Sequence, residues 1–133
     1  MINILMVEDD STIAFGVKYA LEQEGFSLEI CKDLESSRKS IHEKNYDIIL
    51  LDVTLPDGNG YDFCKEIRKT SNVPIIMVTS RDNEIDELLS LNYGADQYVT
   101  KPYNIQILLA KIVGLLKRNQ NSGNNPDKID CGN

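Results

Sequence analysis

Five short strand-like runs, each followed by a helix-like stretch, constrain this chain more than any other feature of its sequence. Residues 2–7, 47–51 and 73–78 are almost wholly apolar, residues 27–31 alternate, and residues 96–100 make a last short run. Between them, residues 11–24 place Ala14, Val17 and Leu21 on one helical face, with Gly25 closing it. Residues 83–92 do the same with Ile85, Leu88 and Leu89, and residues 104–118 with Ile105, Leu108, Leu109, Ile112, Leu115 and Leu116. Residues 33–44 form a weaker helix, assigned mainly by its place between two strands, and residues 61–69 form another. A strand that is apolar on both faces has no face to give to water. Such strands alternating with amphipathic helices predict a parallel sheet covered on both sides, an α/β fold of five βα units. Right-handed crossovers leave few ways to connect it.

In a doubly wound sheet, chemistry gathers beyond the carboxyl ends of the strands. The first strand ends in Glu8-Asp9-Asp10, the third in Asp52, the fourth in Thr79-Ser80 and the fifth in Lys101-Pro102. Pro56-Asp57-Gly58-Asn59-Gly60 follows Asp52 as dense turn chemistry. Carboxylates crowded on one rim repel each other and need protons or a cation. A hard, oxygen-seeking ion such as Mg²⁺ suits them, with Asp9 and Asp52 as direct ligands, Glu8 acting through water, and the backbone carbonyl of Thr54 completing the set. With such an ion, Asp52 is a nucleophile toward a phosphoryl donor. Lys101 would supply a compact positive charge to the phosphoryl oxygens, and Thr79 a hydroxyl.

Each element has a plain structural reading when taken alone. The acids at 8–10 suit a helix N-terminus, Asp52 suits a turn, Thr79-Ser80 suits an N-cap, and Lys101-Pro102 suits a loop with a cis proline. Four such coincidences at four strand ends are improbable together. His42, the only histidine, reads as a solvent-facing helix residue, and chemistry that needs two histidines is excluded. Cys31, Cys64 and Cys131 have no disulfide or zinc spacing. A net charge of −7 excludes the basic footprint of a nucleic-acid-binding surface. No apolar run reaches the roughly 20 residues of a membrane helix. With no basic-then-apolar leader, the expected location is the cytoplasm.

The set Glu8-Asp9, Asp52, Thr79 and Lys101-Pro102 resembles the receiver domain of bacterial response regulators. The run Gly94-Ala95-Asp96-Gln97-Tyr98-Val99-Thr100-Lys101-Pro102-Tyr103 and the turn Leu55-Pro56-Asp57-Gly58 are similar to the OmpR/PhoB class. The resemblance covers residues 1–118 and implies a flavodoxin-like doubly wound sheet of strand order 2-1-3-4-5. It implies Asp52 as phosphoacceptor, Thr79 as switch hydroxyl, Tyr98 as switch aromatic, and Thr54 with Arg81 as the positions that tune dephosphorylation. It also implies a sensor histidine kinase as partner, a homodimer on phosphorylation, and a DNA-binding domain following in the parent protein. Residues 119–133, rich in Asn, Ser and Gly, read as a flexible tail or the start of an interdomain linker.

The sequence departs from that class on the dimer face made by the fourth helix, fifth strand and fifth helix. Asp96 and Lys111 match one expected intersubunit ion pair, but Glu87 with Ile107 and Gln97 with Arg118 do not match the other two. A phosphatase of the haloacid-dehalogenase type also uses an aspartate after a strand, but wants a second acid where Thr54 stands. A degenerate receiver that binds without phosphorylation would not need the whole pocket.

Overall fold

The computed structural model of the chain describes residues 1–80, 92–102 and 104–124, with side chains described as far as 118. In chain order the elements are β1 (Asn3–Val7), α1 (Ser11–Gln23), β2 (Ser27–Cys31), α2 (Leu34–Glu43), β3 (Ile48–Asp52), β4 (Thr54–Leu55), β5 (Gly58–Asn59), α3 (Gly60–Arg68), β6 (Ile75–Thr79), β7 (Gln97–Thr100) and α4 (Ile105–Asn124). Five strands form one sheet in the order β2-β1-β3-β6-β7, every neighbouring pair parallel. Counting only these strands, that is the expected order 2-1-3-4-5.

Period-two alternation divides the apolar residues of each strand between two faces. Ile4, Met6, Ile48, Leu50, Ile76 and Val78 pack with α1 through Ala14, Val17 and Leu21, and with α4 through Leu108, Ile112 and Leu115. On the other face, Leu5, Val7, Ile49, Leu51, Ile75 and Met77 meet Leu34 of α2 and Phe63, Cys64 and Ile67 of α3. β3 is buried along its whole length. Each of its four aliphatic side chains contributes about 1.5–3 kcal/mol by leaving water. This rigid slab fixes where its ends fall.

The expected elements recur with shifted ends. The third strand begins one residue later, at Ile48, and ends on Asp52. The turn after it holds a two-stranded hairpin, β4 paired antiparallel with β5, which the sequence showed only as turn chemistry. The helix expected over 83–92 falls outside the described residues, save Asn92. The last helix continues to Asn124, past the expected end at 118. Residues 119–124 give no apolar period to reveal a helix, yet extending an existing helix fixes only one residue per added bond. His42 is exposed, as expected, and Cys64 is fully buried. The Lys101-Pro102 bond is cis.

Candidate functional site: an acidic rim around Asp52

Strand register sets the site. Val7 stands beside Leu51 and Asp52 beside Val78, so the residues after β1, at the end of β3 and at the end of β6 reach the same level. Thr79 stands beside Thr100, which brings Lys101 to that level from β7. The backbone closes the corner: the amide of Glu8 donates to the Cys31 carbonyl at 2.9 Å, and that of Lys101 to the Thr79 carbonyl at 2.8 Å.

Glu8, Asp9 and Asp52 bring carboxylate oxygens within 4.8 Å of one another. Glu8 and Asp52 are buried and Asp9 is exposed at the mouth. Lys101 Nζ lies 2.8 Å from Glu8 Oε1 and 3.0 Å from Asp52 Oδ2. The other carboxylate oxygens are held by backbone. Glu8 Oε2 accepts from the Asp10 amide at 3.2 Å, and Asp52 Oδ1 from the Thr54 amide at 3.4 Å. Asp10 is not a member of the cluster; it is the N-cap of α1 and accepts from the Ile13 amide.

Among the described residues the charges do not balance: three carboxylates face one ammonium, which leaves an excess of two negative charges when all are ionised. Burial is the main force on Glu8 and raises its pKa; the Lys101 contact opposes this, Asp52 adds to it, and the result is about 7. Burial also works against the Lys101 ammonium, but Glu8 and Asp52 outweigh it and hold its pKa above the ordinary lysine value. Buried Glu8 Oε1 has the ion contact with Lys101 but no well-formed hydrogen bond. An all-oxygen cluster with surplus negative charge and an under-satisfied oxygen fits a hard divalent cation. Glu8, Asp9 and Asp52 are the residues that would hold it.

The other expected site residues fall in different places. Thr79 is buried at the end of β6, and Tyr98 is half-buried on β7 against the α3 side of the core. Thr54 is exposed on β4, next to Asp52. Arg81 lies outside the described residues. Asp96 and Lys111 each have an intramolecular partner. Asp96 Oδ2 accepts from Arg68 at 2.8 Å and from the Ile75 amide at 2.9 Å. Lys111 donates to the Tyr98 carbonyl at 2.6 Å, and its ammonium stands 5.5 Å from the centre of the Tyr98 ring. An intersubunit pair between Asp96 and Lys111 would have to share or displace these contacts.

Two residues were not anticipated, one at the rim and one at the opposite end of the sheet. Gly60 lies so close to Asp52 that a Cβ there would sit 2.0 Å from the Asp52 carbonyl oxygen, so no other residue fits. Gly60 was legible only as part of a turn. Arg68 ties the end of α3 to the carbonyls of Gly94 and Val73 and to Asp96, contacts far apart in sequence that no local pattern announces.

The description "response regulator receiver domain" matches residues 4–113, and the chain belongs to that family. It is 40% identical to the sensory transduction protein RegX3 of Mycolicibacterium smegmatis, over 99% of this chain and 59% of that protein. The chain thus spans little more than half the length of the curated relatives it matches. A two-component response regulator from Clostridium difficile superposes with a TM-score of 0.85 at 34% identity, covering 89% of this chain and 98% of that one. The OmpR/PhoB homologue DrrB of Thermotoga maritima superposes with a TM-score of 0.82 at 34% identity, covering 90% of this chain and 54% of that one. The RegX3 relatives and DrrB bear out the likeness to the OmpR/PhoB class read from the turn and the last strand.

Proposed function

We propose that this receiver takes a phosphoryl group on Asp52 from a sensor histidine kinase and uses it to reset the surface around β7 and α4. The observation that carries this reading is the placement of Asp52: buried at the end of β3, 3.0 Å from Lys101 and clustered with Glu8 and Asp9. Bound there, Mg²⁺ would screen the carboxylates and favour the approach of an anionic phosphoryl donor. Asp52 attacks phosphorus, a P–O bond forms, and the bond to the donor histidine breaks. Lys101, already on Asp52, supplies charge to the phosphoryl oxygens, and the Thr79 hydroxyl moves toward them. Tyr98 then turns inward. Its neighbour Lys111 carries the change to the outer face, in a population shift between two states. Thr54, next to Asp52, and Arg81 set how fast water removes the phosphoryl group.

Partner and output follow from the same reading. Phe15 and Tyr19 are 64% and 70% exposed on α1, and Phe15 lines one cleft with Glu8, which gives a kinase an apolar surface beside the site. A homodimer forms on phosphorylation through the face that carries Asp96 and Lys111. In the parent protein the output is transcriptional, through a DNA-binding domain after this one, and the setting is the cytoplasm.

Intact mass after incubation with Mg²⁺ and acetyl phosphate tests the reading. One added phosphoryl group is expected, absent from Asp52→Asn and in EDTA. No gain, with the donor left unhydrolysed, would overturn it in favour of a module that binds without phosphorylation.

A further inference from the structure

The hairpin after Asp52 is pinned at both ends. At its base, Gly60 lies against the Asp52 carbonyl, and its amide donates to the Val53 carbonyl at 2.7 Å. At its tip, the Asp57 carboxylate accepts from the backbone amides of Leu34 at 2.8 Å and Glu35 at 3.1 Å. These are the first two amides of α2, which have no partner within the helix. The next glycine, Gly58, has φ +157°, and a Cβ there would come within 2.6 Å of Leu34 Cδ1, so the tip is seated on α2. α2 already has its own N-cap: Asp33 accepts from the Ser36 amide at 2.8 Å. Asp57 is therefore a second cap reaching in from another element, and what it adds is the connection.

That connection reaches the rim on both sides. Thr54, on the near strand of the hairpin, donates its amide to Asp52 Oδ1. β2 leads into α2, and its last residue, Cys31, accepts from the amide of Glu8. The Asp57 bridge thus links the segment that carries Thr54 to the segment that locks Glu8 in place.

We infer that Asp57 is a positioning residue for the cation site: its bond to the N-terminus of α2 holds the Thr54 loop in place beside Asp52 and Glu8, the residues that would hold Mg²⁺. The inference deepens the phosphoacceptor reading and rests on it. A partner that orients metal ligands without touching the metal costs about 10–100-fold in affinity when removed. Asp57 acts through a loop, so its loss belongs at the low end of that scale.

Mg²⁺ titration of the unphosphorylated chain, followed by backbone amide shifts, gives the Kd directly. Asp57→Ala is expected to weaken Mg²⁺ binding several-fold, and Asp57→Asn, which keeps one carbonyl acceptor, to weaken it less. Asp33→Ala removes the helix's own cap but leaves the Asp57 bridge in place, so its Kd should rise less than that of Asp57→Ala. Equal Kd values for Asp57→Ala and the native chain would overturn the inference, as would an equal rise in Asp33→Ala. If Asp57→Ala does not fold, Asp57→Asn decides by the same titration. Phosphoryl uptake by the native chain, read separately by mass, distinguishes failure of this inference from failure of the phosphoacceptor reading.

Discussion

Two clusters among the described residues join a lysine to buried or half-buried carboxylates, and they have opposite balances. On the edge of the sheet, Lys44 lies 2.8 Å from Glu29, whose side chain is 36% exposed, while Tyr46 and Ser40 donate to the same carboxylate. One acid has three donors, and the Lys44 contact leads in drawing the Glu29 pKa below its ordinary value. At the rim, Lys101 is shared between Glu8, 1% exposed, and Asp52, 7% exposed, with Asp9 beside them. There the acids outnumber the donor, and the pKa of Glu8 rises to about 7. The same residue types give a finished structural contact in one place and a site short of positive charge in the other. Composition does not separate them; burial and donor count do.

Removing the rim lysine should have the largest effect. Lys101→Ala leaves Glu8 and Asp52 buried without their cation. Breaking one side of a buried pair costs about 3–5 kcal/mol. That loss is expected to be larger near pH 8 than near pH 6, where Glu8 takes up a proton more readily. Urea denaturation at the two pH values measures it. A variant as stable as the native chain at pH 8 would mean that Lys101 does not offset the rim charge.

The pH dependence of the native chain follows from Glu8. Its folded pKa, about 7, lies above the value near 4.5 of an unfolded glutamate. Between these values the folded state holds a proton that the unfolded state has released. Stability should therefore fall as pH rises from about 5 to about 7, by at most about 1.4 kcal/mol per pH unit. The lowered groups Glu29 and Glu66 act the other way, and only below their ordinary range. Asp52→Asn removes a neighbour that raises the pKa of Glu8, so it should flatten the slope as well as abolish phosphorylation. Saturating Mg²⁺ should flatten it too, by binding only the folded, ionised site. A slope unchanged by Asp52→Asn would break the coupling between the two acids.

Much of the fold and most of the rim could be read from the sequence, for a physical reason. Strands buried on both faces must be apolar, so residues such as Ile48–Leu51 announce themselves, and the polar residue that ends each run is conspicuous. Glu8, Asp52, Thr79 and Lys101 were found that way. Strand order was not; it came from the family resemblance, because local pattern does not say which strands are neighbours. The Asp57 bridge was hidden for a related reason. Its partners are Leu34 and Glu35, and nothing near Asp57 distinguishes it from an ordinary turn residue. Arg68 reads as a helix-terminal charge until Gly94 and Asp96 arrive beside it. The helix past 118 was missed because its residues lack the apolar period on which such assignments depend.

The finished cluster gives the smallest prediction and the control for the others. Glu29→Gln removes the charge that Lys44 meets and keeps one carbonyl oxygen, enough to accept from Tyr46, while the amide nitrogen replaces the oxygen that accepts from Ser40. Exposed pairs gain little because water and salt screen them. The loss should therefore be smaller than at any rim position, should vanish in high salt, and should leave the pH slope set by Glu8 unchanged. Denaturation of Glu29→Gln across the same pH range checks all three. A loss comparable to that of Lys101→Ala would show that burial and donor count do not separate the two clusters. The excess charge at the rim would then lose its standing as the mark of a cation site, because a fully compensated cluster would have proved as costly to disturb as an uncompensated one.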